Sequence, residues 1–395
     1  MQIDFTQRNY PSLILAGLGI LGQGILRLGD SVLRSFDQIL LTDLEEEICR
    51  RQSPHAGQTV FQGDIQKESF LIRLLEEIQP PILFVNVCSN LDTVKLRRFL
   101  ADRDVGYVDV CASAMEAETQ SRFSRLMPYT NTACGGRFPH LICQGINPGL
   151  VEYAARLLLN TFSQKENELA VSIFENDQLY SPLLGDATAV GWSPKDLVEE
   201  VMISPSMEVN DKGICEDDDP GAREVPVFWG SKQFSARLVG HEDIWNLGMM
   251  DRIGGARFLY TLHPDVMKTF FDRPAETLKQ LTVPKADMPL EGTETVVVKV
   301  SSQKTGLQKA LLWQTDHGFV QRRYKVNAVQ YQAALGALLA MALMQFTEAG
   351  RRKGTFNAST LPLTAADHEV LVFLMQSMGI EWKSFSPDAV QCEWV

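Results

Sequence analysis

Three glycines near the start constrain this chain more than any other feature. Gly17, Gly19 and Gly22 stand in the stretch Leu15-Ala16-Gly17-Leu18-Gly19-Ile20-Leu21-Gly22-Gln23-Gly24. An apolar run, residues 12–16, precedes them. A helical rhythm follows, carried by Ile20, Leu21, Gly24, Ile25, Leu28 and Val32. Strand, glycine turn and helix in that order form a dinucleotide fingerprint. The first glycine permits a tight turn, the second lets backbone approach a pyrophosphate, and the third lets helix and strand pack closely. The N–H groups that open the helix then meet the phosphates. A second buried strand, residues 38–42, is closed by Asp43, about 20 residues beyond Gly22. A carboxylate there accepts hydrogen bonds from the adenosine ribose and repels a 2′-phosphate. NAD is therefore the expected cofactor, with Gly17, Gly19, Ile20, Leu21, Gly22 and Asp43 as its contacts.

The alternation continues. Strands are expected at residues 59–62, 81–87, 106–110 and 140–144, and helices at 20–33, 45–52, 69–78, 92–101 and 150–162. Strand and helix at this spacing predict a Rossmann-type, doubly wound parallel sheet. The ends of its strands add Asn86, Cys88, Asp109 and Cys111 as candidates for the nicotinamide side of the cofactor site, because ligands of open α/β sheets bind at that edge. Asp109 and Cys111 read equally as ordinary strand-end residues.

Beyond the helix at 150–162 the texture changes. Strand-like segments at 168–175, 225–228, 233–239 and 295–301 are separated by longer loops, with few helices before 275–280, and 210–221 reads as a solvated loop. This predicts a second α+β domain with a mixed or antiparallel sheet. A long apolar helix at 327–345 returns to cover the first sheet. The expected domains are residues 1–146 with 320–395 for the cofactor and 147–319 for substrate and dimerisation.

Composition narrows the function. The chain has 395 residues and a formal net charge of −12. It lacks the basic footprint that nonspecific nucleic-acid binding needs. Its seven cysteines form no CxxC pair, which fits reduced thiols in the cytoplasm. Cys134, His140 and Cys143 lack the second close pair of a zinc site, so no metal is expected. The apolar stretch 333–346 falls short of the roughly 20 residues of a membrane span.

Several motifs occur in a shared order across residues 12–263: the glycine turn, Tyr107-Val-Asp-Val-Cys111, Gly145-Ile-Asn-Pro-Gly-Leu-Val151, Glu175-Asn-Asp-Gln178, Trp192-Ser with Glu199-Glu200, and Thr261-Leu-His263. In that order they resemble the homospermidine synthase family, a branch related to saccharopine dehydrogenase and carboxynorspermidine dehydrogenase. The chain departs from the family at Ser113-Ala-Met115, where a Glu-Pro-Trp element stands, and at Pro264, where an asparagine follows the histidine. The resemblance implies that an amine of putrescine is oxidised with NAD, ammonia is exchanged for a second amine through an imine, and that imine is reduced by the same cofactor.

Such chemistry needs carboxylates to hold one ammonium group and a base to deprotonate the other. The resemblance points to Glu200, Glu175 and Glu116, with Asp177 beside them. Taken alone, each reads as a solvated surface acid sooner than as a ligand. Trp192 reads either as packing or as an indole face for an ammonium or iminium ion. His263 is a structural histidine or a proton shuttle. Asn147 belongs to a turn whose Pro148 sits early in a helix, or it presents its amide to the reacting amine. The other histidines, His317 among them, have no comparable support.

The expected function is thus homospermidine synthase-like, from putrescine to homospermidine in polyamine metabolism. A reductive amine-coupling dehydrogenase of the saccharopine or carboxynorspermidine kind is the alternative enzyme. A non-catalytic NAD-binding scaffold is the alternative without chemistry. A diamine or polyamine is the expected partner, with no nucleic acid or membrane, and a homodimer is the expected assembly.

Overall fold

A computed structural model describes residues 8–52, 57–89, 91–111, 136–185, 187–229, 232–272 and 277–377. The described chain divides into two compact units, residues 8–150 with 332–377 and residues 151–331. Glu116 and the departure at Ser113-Ala-Met115 lie outside the described residues, as do Cys134 and Cys392.

In the first unit the apolar runs become strands β1 (Ser12–Ala16), β2 (Gln38–Asp43), β3 (Gln58–Gln62), β4 (Ile82–Asn86), β5 (Gly106–Asp109) and β6 (His140–Leu141). With a last short strand, Thr355–Phe356, they form a seven-stranded sheet in the order 3-2-1-4-5-6 and then that strand. Every pairing in it is parallel. Strand order reverses between β1 and β4, which makes the carboxyl ends of those strands the topological switch point. This is the Rossmann-type sheet. Its central strands are buried on both faces, which is why they read as unbroken apolar runs.

The expected helix at 20–33 is two helices, Ile20–Leu28 and Asp30–Leu33. Gly29 caps the first with its N–H on the Ile25 carbonyl, and a Cβ there would sit 2.5 Å from Leu338. Helix Ala328–Phe346 has the length and hydropathy of a membrane span, contrary to the sequence reading, yet is 78% buried within the protein. Its one amide in the apolar stretch is satisfied by backbone. Gln345 accepts from the Tyr10 N–H at 2.8 Å and donates to the Tyr10 carbonyl at 2.8 Å.

The second unit is an α+β unit. Its strands are β7 (Leu169–Asp177), β8 (Thr188–Ala189), β9 (Met207–Asn210), β10 (Gly213–Glu216), β11 (Arg223–Trp229), β12 (Lys232–Val239), β13 (Ile253–Leu262), β14 (Leu281–Thr282), β15 (Thr293–Ser302) and β16 (Gln308–Asp316). Eight of them build a mixed sheet along β10-β9-β13-β7-β15-β16, with β12 also on β13 and β11 on β12. Only β13 and β7 run parallel within it. Two sequence expectations fail here. The stretch 210–221 is no plain loop, because Gly213–Glu216 pairs back on β9 as an edge strand. Helices are also not scarce before 275: Pro194–Val198, Glu242–Gly248 and Pro264–Asp272 all intervene.

Candidate functional site

Each unit carries a candidate site of its own. In the first, the glycine turn has the geometry that the fingerprint demands. Gly17 has φ +98°, and a Cβ on it would meet the Val87–Cys88 backbone at 2.9 Å. A Cβ on Gly22 would lie 1.9 Å from the Gly17 carbonyl oxygen, so helix and turn touch only because both residues are glycine. Gly19, the N-cap of the helix, is exposed and has open space where its Cβ would point. Ile20 and Leu21 follow in the first helical turn with their N–H groups at its positive end. Asp43 accepts from the Leu18 N–H at 2.6 Å and from the Glu45 N–H at 2.9 Å. It thus ties the glycine turn to the end of β2 while each carboxylate oxygen keeps a further lone pair. The open cradle at Gly19 and the acid at β2 fit a dinucleotide.

The strand-end candidates divide. Cys88 is partly buried, and burial, with the Asp43 charge second, pushes its thiol up to about 12. Asn86 turns inward. It donates to the Tyr107 hydroxyl at 3.1 Å and accepts from the Cys88 N–H at 3.1 Å. Asp109 is fully buried and accepts from the Cys143 N–H at 2.7 Å. Burial pushes its carboxyl up to about 6 against the opposing pull of that N–H, Arg97 and Tyr107. Asn86 and Asp109 are directly paired across β4 and β5, so with Tyr107 they form one internal polar network. Cys111 is exposed. Asn147 sits in a turn closed by the Gly145 N–H on the Pro148 carbonyl at 2.7 Å. Pro148 belongs to the turn that launches the helix Leu150–Leu159, which begins where the sequence places it.

The second unit supplies the acids, and strand register explains how. Tyr260 of β13 pairs with Glu175 of β7, and Leu262 with Asp177. On the other side of β7, Val296 of β15 pairs with Glu175 and Glu294 with Asp177. Side chains alternate along a strand, so Glu175, Asp177, Tyr260 and Glu294 share one face of the sheet. The opposite face carries Phe174, Leu259 and Val297 into an apolar cluster with Leu238 and Leu312. Glu294 is 0% exposed. Burial, then the charges of Glu175 and Asp177, hold its carboxyl well above the usual carboxylate range, and it shares a hydrogen bond with Glu175. Burial among those acids thus favours the protonated form of Glu294.

Tyr260 links this set to the other predicted residues. Trp192 donates from Nε1 to its hydroxyl at 3.3 Å. Burial and the charges of Glu175, Asp177 and Glu200 raise its phenol well above the ordinary range. Trp192 stands just before Ser193, which caps the helix Pro194–Val198 by accepting from the Asp196 N–H. That helix widens into a π-turn at Glu199–Ile203, closed by the Ser204 N–H on the Glu199 carbonyl at 2.7 Å, and buries Glu200. Such turns recur at functional sites. The structure therefore brings Trp192, Glu175, Asp177 and Glu200 around one phenol. His263 has other work: its ring accepts from the Asp265 N–H at 3.3 Å and stacks on Tyr180 at 5.6 Å, opening the helix Pro264–Asp272.

Sequence reasoning missed three members. Tyr260 and Glu294 come from strands paired on either side of β7. His317, set aside with the other histidines, is fully buried with Nε2 2.9 Å from Asp177 Oδ1. The one sequence signal was an acid, Glu294, beside the valine run of β15.

A Rossmann-type sheet coupled to a mixed α+β unit is the architecture of dinucleotide-dependent dehydrogenases, and solved structures of that class share it. The NAD complex of homospermidine synthase from Legionella pneumophila matches with TM-score 0.73 and 14% identity, over 95% of this chain and 91% of that one. Apo saccharopine dehydrogenase (L-Glu forming) from Saccharomyces cerevisiae matches with TM-score 0.62 and 9% identity, over 95% and 100%. No family model and no curated protein matches the chain by sequence. At these identities the likeness is one of fold.

Proposed function

We propose that the chain is an NAD-dependent oxidoreductase of amines that carries out the homospermidine synthase reaction on putrescine. The observation that carries this reading is the buried carboxyl set Glu175, Asp177, Glu200 and Glu294 gathered around Tyr260 and Trp192. Buried carboxylates persist where a cation or a shared proton compensates them. Here one proton lies in the Glu175–Glu294 pair, and the other acids are matched to ammonium groups. The glycine turn and Asp43 of the first unit hold NAD, which supplies a hydride acceptor that later returns the hydride.

The residues divide the remaining tasks. An ionised carboxylate holds the distal ammonium of the diamine. Another accepts the proton that the reacting nitrogen must lose before its α-carbon can be oxidised. Trp192, oriented by its bond to Tyr260, offers an aromatic face worth about 0.5–2 kcal/mol to a cation. Ammonium and iminium forms are both cations, so that attraction persists through ammonia release and attack by the second amine. A saccharopine-type substrate would need guanidinium or ammonium groups for its carboxylates. The charges acting on Tyr260 and Glu294 are all acids, which favours the amine reading.

The test is incubation of the protein with NAD and putrescine, followed by mass spectrometry. Homospermidine and ammonia are expected without net NADH accumulation. NADH consumption with a keto acid or aldehyde, and no homospermidine, would replace this reading with the reductive one.

A further inference from the structure

The imidazole of His317 is held from three sides. Its backbone N–H donates to the Gly292 carbonyl at 3.0 Å, where Gly292 has φ +92° and a Cβ would lie 1.8 Å from the Gln178 carbonyl. Its Nδ1 accepts from the Ala328 N–H at 3.1 Å, one of the donors that the first turn of a helix leaves without an intrahelical partner. Nδ1 is therefore the unprotonated nitrogen, so Nε2 carries the hydrogen and donates it to Asp177 Oδ1. The same Oδ1 accepts from the Leu179 N–H at 3.0 Å.

Two donors on one oxygen fix the rotation of the Asp177 carboxylate. Among the described residues no donor is in place on Oδ2, which lies 3.0 Å from where a Cβ on Gly191 would stand. Gly191 leads into Trp192, and its carbonyl accepts from Asn327 Nδ2 at 2.7 Å. Asn327 also caps the helix whose first N–H holds His317, by accepting from the Gln330 N–H at 2.9 Å. One helix start thus holds both the imidazole behind Asp177 and the glycine in front of it. Glu294 faces Asp177 from β15, Glu175 stands two residues away on β7, and Tyr260 and Glu200 complete the titratable groups around it.

We propose that His317 is a positioning residue that, through Nε2–H, fixes Asp177 so that Oδ2 is presented to an ammonium group of the amine. This rests on the amine reading above and adds to it the oxygen that takes the ammonium and the side chain that aims it. Asp177 is the contact and His317 acts through it. Without the imidazole, Oδ1 keeps only the Leu179 N–H, and the carboxylate loses its fixed orientation.

The experiment measures putrescine turnover, calorimetric putrescine binding and NAD binding for the parent chain, His317→Leu, His317→Gln, Asp177→Asn and His317→Leu with Asp177→Asn. His317→Leu is expected to raise the amine KM by about tenfold with kcat changed far less, because a charge-assisted hydrogen bond is lost. It should leave NAD affinity unchanged. Gln, which can donate an amide N–H to Oδ1, should recover most of the KM. In the Asp177→Asn background the Leu substitution should have little further effect on putrescine binding. A parent that turns over putrescine while His317→Leu keeps its KM overturns the positioning role alone. If His317→Leu fails to fold, unaltered putrescine binding in Asp177→Asn overturns it. A parent that neither binds nor turns over putrescine overturns the amine reading as well.

Discussion

Gly19 and Gly22 separate two uses of glycine within one turn. At Gly22 an added Cβ would collide with the Gly17 carbonyl, and the collision is with backbone. Gly22→Ala is expected to destabilise the first unit by about 2 kcal/mol or more, measured by urea unfolding, since overpacking moves main chain. At Gly19 the Cβ has open space and φ is −65°, which any residue adopts. Gly19→Ala should leave unfolding within about 0.5 kcal/mol of the parent. Its NAD affinity should nevertheless fall by about tenfold or more, because the methyl occupies the approach of the pyrophosphate. Asp109 and His140 set a second test. The Asp109 carboxyl is raised to about 6, so its contribution to stability is present at acid pH and is lost as pH rises from its unfolded range through 6. Burial lowers His140 to about 3, so its contribution is present above its unfolded range near 6.5 and is lost as pH falls. The two slopes oppose one another between about pH 4 and 6. Asp109→Asn removes the first and leaves the second. The stability difference between variant and parent should therefore move in favour of the variant by about 3 kcal/mol from pH 4 to 6.5, read from urea melts at each pH.

At the scale of the element, the acid face of the second sheet rests on register. A slip of one residue in β15 would send Glu294 to the apolar side and Thr295 into its place. Glu294→Gln keeps a donor toward Glu175 and removes a buried acid held in its protonated form. That acid stabilises while protonated, and the contribution is lost as pH rises through its raised folded value. The advantage of the Gln variant over the parent in melting temperature should be least near pH 4 and grow as pH rises above the unfolded range. Identical pH profiles for the two proteins would mean that Glu294 does not hold the proton. Strand context also explains what the sequence disclosed. The first sheet is legible almost strand by strand, because strands buried on both faces are apolar runs ended by glycine or a polar residue. The ten-residue span of β13 is not legible: Gly254 and Gly255 interrupt it, and Arg257, Tyr260 and Thr261 break any simple alternation. The edge strand Gly213–Glu216 is polar and reads as loop. Glu175, Glu200 and Trp192 could be singled out because they lie in short motifs whose order is visible. Tyr260, Glu294 and His317 join them only through pairings between strands and helices distant in sequence, which no local pattern encodes.

At the scale of the whole molecule, the net charge of −12 acts on the two proposed ligands with opposite sign. Putrescine is a dication in neutral water and is drawn toward an acidic protein, whereas NAD carries a net negative charge from its two phosphates and is repelled by it. Salt screens long-range fields over about 8–10 Å near physiological ionic strength, while contacts inside a buried site are screened much less. The amine KM should therefore rise several-fold as salt is raised from about 20 to 300 mM, most of it through slower association. NAD affinity should stay level or improve over the same range. Stopped-flow association with each ligand separates the two. A parallel loss of affinity for both would point instead to a general salt effect on the fold, and a flat response for the amine would mean that its capture depends on the buried carboxyls alone.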